Sequence, residues 1–345
     1  MEGSVYKNAP SLPRCLRAPL IRWARFALAG VLLLAIAPLA SAATITVSNH
    51  NDVGAGSLRD AITNAKAGDT IVFSGLPAGD TIKPSSVLIV ATGGTSASNP
   101  LTIDGSGVSG LSVSGNNAVR VFAVNAGVNA VFKNFTITQG KPLGATGSGG
   151  GILNTGTLTL NNCTVSDSTA NANGGGIENN GTLTLTNSTL SGNTTAVAGG
   201  GIDNNGMLTV TNSTFNGNTI TNDYPSNGYG GGIYNTDSGT LTVINSTLSN
   251  NIGHQAGGGI CNSGTLTVIN STLSGNASHA EAGGGLYNAG TATLTNSTLS
   301  GNTTNFDGSG IYNDSGTLTV TNSTLSNNTA GYATPAAPST IATVR

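Results

Sequence analysis

From Gly144 to Val344 the chain has no lysine and no arginine, set against eight aspartates and glutamates. A surface that grips nucleic acid needs clustered positive charge, so this stretch is not a nucleic-acid binder. The same lack removes the Arg or Lys base on which polysaccharide lyases commonly rely. Aromatic residues are 4% of the chain and charged residues 8%, so chemistry has few side chains to draw on. Glycine is abundant, at 51 of 345 residues, but without the strict three-residue period of collagen. Regularly placed Leu, Val and Ile argue against a disordered low-complexity chain.

The first 42 residues read as a secretory signal peptide. Arg14, Arg17, Arg22 and Arg25 precede the apolar run FALAGVLLLAIAPLA, Phe26 to Ala40. Ala40-Ser41-Ala42 then supplies a small-x-small cleavage site. The run falls short of the ~20 residues needed to span a bilayer. A secreted or cell-surface location follows, with no membrane span expected in the mature chain.

What dominates the rest is repetition. GGGI or a near copy ends at Ile152, Ile177, Ile202, Ile233, Ile260, Leu286 and Ile311, at intervals of 25, 25, 31, 27, 26 and 25. A fixed period of this size marks stacked repeats. Within each unit, TLTLT alternates with period two, the pattern of a strand. Leu183 and Leu185 face one side, Thr182 and Thr184 the other. Three short strands are expected per repeat: around GGGI, GTLTV and STLSG. Gly and β-branched residues leave no room for helix. One unit cannot bury its apolar side alone, whereas a stack with each strand paired one coil up, ~4.8 Å away, can. The sequence therefore predicts an all-β, right-handed parallel β-helix (a solenoid).

Three asparagine columns accompany the period: Asn162, Asn187, Asn212, Asn245, Asn270, Asn296 and Asn322; Asn154, Asn179, Asn204, Asn235, Asn262, Asn288 and Asn313; and Asn193, Asn218, Asn251, Asn276, Asn302 and Asn328, with Ser168 in the first coil. Asn tolerates the left-handed backbone of a sharp corner. Stacked amides can also bond along a column. The NST triplets fit a glycosylation acceptor, but stacked corner amides leave no room for glycans. Cys163 and Cys261 lie four coils apart, ~19 Å at one strand spacing per coil, too far for a disulfide.

Residues 43–143 differ. GSLRDAITNA, Gly56 to Ala65, reads as a short capping helix with Ser57 and Asp60 approximating a capping box. GDTIVF, SSVLIV, NPLTIDG and NAVFKNFTITQG read as strands of irregular coils. Regular repeats fill 144–330. The tail, 331–345, has no strong cap-helix signal, so the sequence predicts either a truncated chain or an end that associates.

GAGSLRDAI followed by GDTIVF, then GGGI, FNGN (Phe215 to Asn218) and LSGN units, resembles bacterial right-handed β-helix proteins that open with a CSLREA-type domain. The repeats are similar to those of chlamydial polymorphic outer membrane proteins. Gly56 stands where that motif has Cys, and the alanine of the family's GGA signature is Gly in most coils. The resemblance covers roughly Thr44 to Thr329. It implies a surface or secreted protein, often an adhesin, and specifies fold far better than function.

Candidate sites are few. The residue after each GGGI aliphatic forms an outward column: Leu153, Glu178, Asp203, Tyr234, Cys261, Tyr287 and Tyr312. Glu178 and Asp203, ~5 Å apart in adjacent coils, are the one pair a glycoside hydrolase could use. A solvated face is the plainer expectation for them. Tyr234, Tyr287 and Tyr312, with Tyr224 and Tyr229 of the insertion Thr219 to Gly230, are candidate ligand-binding residues. His254 and His279 should stack in neighbouring coils, and with Glu281 and Asp223 they form a weak candidate metal site; two solvated turn residues are the plainer reading. No cofactor is expected. The sequence predicts a non-catalytic adhesion or binding scaffold whose partners are glycans or a host or cell surface. A β-helix polysaccharide lyase or glycoside hydrolase is the alternative. A further alternative is ice binding by the Thr-x-Thr columns Thr157/Thr159, Thr182/Thr184, Thr240/Thr242, Thr265/Thr267, Thr291/Thr293 and Thr317/Thr319, which Met207 interrupts beside Thr209.

Overall fold

The computed structural model describes residues 42–94, 99–221, 228–280, 282–331 and 342–344. They form a right-handed parallel β-helix of four sheets holding 12, 10, 9 and 7 strands. Every strand pairing between named strands is parallel and joins one coil to the next. In the longest sheet Thr157–Asn161 pairs with Thr182–Thr186, and that with Met207–Thr211. The register is residue for residue: Leu158, Leu183, Leu208, Leu241 and Leu266 stack in one inward column. All are at most 1% exposed. Such burial stabilises by roughly 1.5–3 kcal/mol per side chain, which one coil alone could not gain.

Each regular coil has four strands rather than the expected three. The fourth is two residues long, as in Thr169–Ala170, Thr194–Thr195 and Thr219–Ile220. Only its second residue points inward, and it varies from Ala170 to Thr195 to Ile220. One inward position leaves no alternation to detect.

The asparagine columns divide their work. Asn162, Asn187, Asn212, Asn245, Asn270, Asn296 and Asn322 all have φ between 48° and 53°. They turn the corner after each long strand. Their side chains face solvent rather than stacking inward, so the expectation that crowding closes this column to glycans does not hold. The other two columns are interior ladders. Asn154 Nδ2 donates to Asn179 Oδ1 at 2.7 Å, and Asn179 to Asn204 at 2.7 Å, continuing to Asn313. Asn193, Asn218, Asn251, Asn276 and Asn302 each donate to the next coil's Oδ1 at 2.9–3.0 Å. Ser168 heads this ladder through its backbone N–H on Asn193 Oδ1. A third ladder escaped the sequence reading. In each NST but the last the serine is buried, and its hydroxyl accepts the backbone N–H of the coil before, as from Ser188 to Ser213 at 3.0 Å. Cys163 takes the first place, donating its N–H to Ser188 Oγ. Cys163 and Cys261 are both buried and no disulfide joins them.

The N-terminal end is closed by α1, Leu58–Asn64, whose Leu58, Ala61 and Ile62 enter the core. Ser57 Oγ accepts from the Asp60 N–H at 3.2 Å. The reciprocal half of the expected capping box is not made. Ser57 N–H bonds Gly54 O, and the Asp60 carboxylate accepts from Asn64. At the other end Ala342–Val344 pairs beside Thr317–Thr321; residues 332–341 and 345 lie outside the described residues.

Candidate functional site

The column after the GGGI aliphatic is in register from Leu153 through Glu178, Asp203, Tyr234, Cys261 and Tyr287 to Tyr312. It points away from the core, as expected, but it is not a solvated face. The segment leading into each GGG crosses over it. Asn173, Ala198, Tyr229, Ala256 and Ala282 bridge coil to coil along that crossing. Gly174 and Gly199 make the approach possible. Each has φ near +65°, and a Cβ would stand 2.7 Å from Glu178 N or 2.4 Å from Asp203 N. Tyr229 shows which way the crossing residues face: its ring stacks on Tyr234 at 5.8 Å and 29°.

Glu178 is therefore 6% exposed and Asp203 fully buried, a correction to the expected solvated pair. Their alternation was right; the layer above them was not visible in it. Glu178 Oε1 accepts from Asn205 Nδ2 at 3.1 Å. Glu178 Oε2 and both carboxylate oxygens of Asp203 are buried without a hydrogen-bond partner, as is Asn173 Oδ1. Burial pushes the Glu178 carboxyl up to about 7, against the pull of Asn180 and Arg120. Burial, and then the neighbouring Glu178, push Asp203 up to about 8. Arg120 is the nearest cation, yet its Nε and Nη2 donate to Gly149 O and Ser148 O, at 3.0 and 2.5 Å. It makes no ion pair with Glu178. Neither carboxyl can meet a polymeric substrate without displacing the crossing segment.

Three coils further along, the column opens. Tyr287 and Tyr312 stack at 5.6 Å and 21°, both partly exposed. Tyr287 Oη donates to Asp314 Oδ2 at 2.5 Å. With Phe306, Asp307, Ala280 and Ala282 they line a surface cavity of about 300 Å³. Phe306 is 47% exposed. Phe306, Asp307 and Asp314 were not singled out in the sequence. The available signal was an aromatic and an acidic residue, Phe306 and Asp307, directly before the GSG that stands for GGG in the last coil. Tyr234 is half-buried, and burial pushes its phenol up despite the hydrogen bond to Ser263. Tyr234 and Tyr229 thus form a separate stack from Tyr287 and Tyr312. Tyr224 lies outside the described residues.

His254 and His279 occupy adjacent coils, His279 N–H donating to His254 O at 3.1 Å. His254 is partly buried and His279 exposed. Asp223 and Glu281, the carboxylates read as their partners, lie outside the described residues. Among the described residues no group of three or more His, Cys, Asp or Glu side chains converges, and no helix is long and apolar enough to cross a membrane.

Compared with known protein families and with curated proteins, the sequence matches none. Among solved structures it is similar to an alginate lyase from Paenibacillus sp. strain FPU-7, at 16% identity and a TM-score of 0.38, over 84% of this chain and 99% of that one.

Proposed function

We propose that this protein is a secreted or surface-exposed β-helix acting as a non-catalytic binding scaffold, with a glycan as the ligand of its tyrosine-lined cavity. The observation that carries this reading is the Tyr287–Tyr312 stack open to solvent beside Phe306, Asp307 and Asp314. Aromatic rings offer broad apolar faces at little cost in flexibility, suited to the C–H faces of a pyranose. The carboxylates accept from sugar hydroxyls and repel anionic polymers. The signal-like leader and the resemblance to surface β-helix repeat proteins support the location and an adhesive role. Against the lyase or hydrolase alternative stand the burial of Glu178 and Asp203 and the lack of Lys or Arg from 144 to 344.

The test is retention and turnover on a panel of glycans, including pectin, alginate and neutral polysaccharides. Neutral glycans are expected to be retained without product, and Tyr312→Ala to weaken retention about tenfold, the loss of one stacking contact of ~1.4 kcal/mol. Product release from any glycan would overturn the scaffold reading.

Ice binding is favoured by one observation of its own. The outward threonines keep exact register, Thr182 on Thr157 and Thr184 on Thr159, through to Thr317 and Thr319, broken by Met207. Hydroxyls then repeat at ~7 Å along a strand and ~4.8 Å between strands. Thermal hysteresis that Thr184→Tyr with Thr242→Tyr abolishes would establish it. No effect on ice growth by the wild type would leave the array as a sheet surface favoured by β-propensity.

A further inference from the structure

Among the described residues, Asn173 Oδ1, Glu178 Oε2, Asp203 Oδ1 and Asp203 Oδ2 are buried side-chain oxygens without a hydrogen-bond partner. Glu178 and Asp203 are direct register partners in adjacent coils. Asn173 holds the crossing position over Glu178 that Tyr229 holds over Tyr234, where the two rings touch. Ala198, the crossing residue over Asp203, is small. Leu153 flanks the pair in the coil before, and Tyr234, stacked on Tyr229, flanks it in the coil after.

Buried oxygens without donors are costly, and buried carboxylates more so. Nearby donors do not meet that cost. Asn205 and Asn180 act on Glu178 but leave its Oε2 unpartnered, and Arg120 is committed to the carbonyls of Ser148 and Gly149. We propose that this buried carboxylate pair binds one hard divalent cation of the Ca²⁺ type, held by Glu178, Asp203 and Asn173 and clamping two coils to the crossing segment. The donor set is all oxygen, with two formal negative charges and one amide carbonyl. That set suits Ca²⁺, which accepts six to eight oxygens in irregular geometry; main-chain carbonyls or enclosed waters complete the shell. It lacks the His or Cys donors that favour Zn²⁺, and the open, water-rich octahedron that Mg²⁺ requires. The site is structural, because no polymer can reach it, and it is independent of the glycan reading.

The experiment uses the full chain purified in chelator, then titrated with Tb³⁺ and, separately, Ca²⁺. Tb³⁺ bound here lies one strand spacing, ~4.8 Å, from Tyr234, so excitation of tyrosine should light its emission. The expected result is emission that saturates at one equivalent and is displaced by Ca²⁺. Ca²⁺ should also raise the thermal midpoint by about 3 °C or more. Asp203→Asn and Glu178→Gln should lose both responses. If either fails to fold, Asn173→Ala, which leaves both carboxylates in place, should weaken the Ca²⁺ response. The proposal is overturned if emission is absent, or if it is unchanged in Asp203→Asn, where it would report surface carboxylates such as Asp307 and Asp314. It is equally overturned if the wild type ignores Ca²⁺ while Asp203→Asn raises the midpoint in chelator. In that case the two carboxyls share a proton and need no metal.

Discussion

At the scale of single residues, asparagines in the same coil do opposite things. Asn251 is wholly buried, accepts from Asn218 N and Nδ2, and donates to Asn276 Oδ1 and Phe215 O. Replacing it with Ala strands the Asn218 donors and the Phe215 carbonyl. The expected loss is about 2–4 kcal/mol, read as a lower urea midpoint. Asn245 is exposed with φ 49°. Asn245→Gly should be near neutral, because glycine accepts that backbone freely, and Asn245→Val should cost about 1–2 kcal/mol. Equal losses at both positions would mean that the ladder is not what Asn251 contributes.

The carboxyl pair gives a second prediction, for the metal-free protein in chelator. Asp203 rises from 3.8 to about 8 and Glu178 from 4.5 to about 7 on folding, burial being the main cause. Between about pH 4 and 8 the folded chain binds more protons than the unfolded one, so stability falls as pH rises. The contribution is intact below about pH 4 and lost through the folded values. The expected fall is on the order of several kcal/mol. Asp52 and Asp104 act the other way. Burial opposes ionisation at both, but hydrogen bonds, from Ser85 and Arg59 to Asp52 and from Asn134 and Ser106 to Asp104, hold them below 3.8. Their contribution is lost as pH falls through those lowered values. Urea midpoints measured against pH should therefore peak near pH 4, and Asp203→Asn should flatten the decline above it. A decline of equal slope in that variant would place the titrating groups elsewhere.

At the scale of elements, the crossing segment is the unit that departs from a bare three-strand coil. It adds a two-residue strand and a left-handed glycine, and it lays Asn173, Ala198, Tyr229, Ala256 and Ala282 over the outward column. Gly199 is tightly held in it, with φ +66° and Asp203 N 2.4 Å from any added Cβ. Gly199→Ala should cost more than about 2 kcal/mol, from left-handed strain and the clash together. Ala198→Gly, next to it but without such contacts, should cost about 1 kcal/mol or less. Thermal midpoints of the two variants decide whether the crossing is held as tightly as the strands it covers.

At the scale of the whole solenoid, each coil touches only its neighbours, so stability is a sum of local terms. The N-terminal coils are closed by α1, and the middle coils hold Leu248 and Leu273 fully buried. In the last regular coil the equivalent Leu325 is 47% exposed. Amide hydrogen exchange should therefore be slowest around Thr240–Ile244 and speed up through Ile311–Ala330. Uniform protection to Ala330 would show that something covers that end, such as the self-association expected from the sequence.

The repeat period, the alternation inside TLTLT and the spacing of the asparagines were enough to set the fold, the inward leucines and the coil-to-coil register of Glu178 with Asp203. Those properties are local, since which side of a strand a residue takes follows from its position in the strand. The capping helix was equally legible, because Ser57 and Asp60 act within one turn. What the tertiary structure decided is what lies over each face. Alternation assigns Glu178 and Asp203 to the outside of their strand, but whether the outside is solvent depends on the path of the segment from Asn171 to Gly176 and its copies. That path rests on the left-handed Gly174 and Gly199 and on small residues at Ala198, Ala256 and Ala282, and it buries two carboxylates while leaving Tyr287 and Tyr312 open. The same holds for the asparagines. Their columns were readable from spacing, but burial in a ladder or exposure at a corner is set by where the neighbouring coil's donors and acceptors fall.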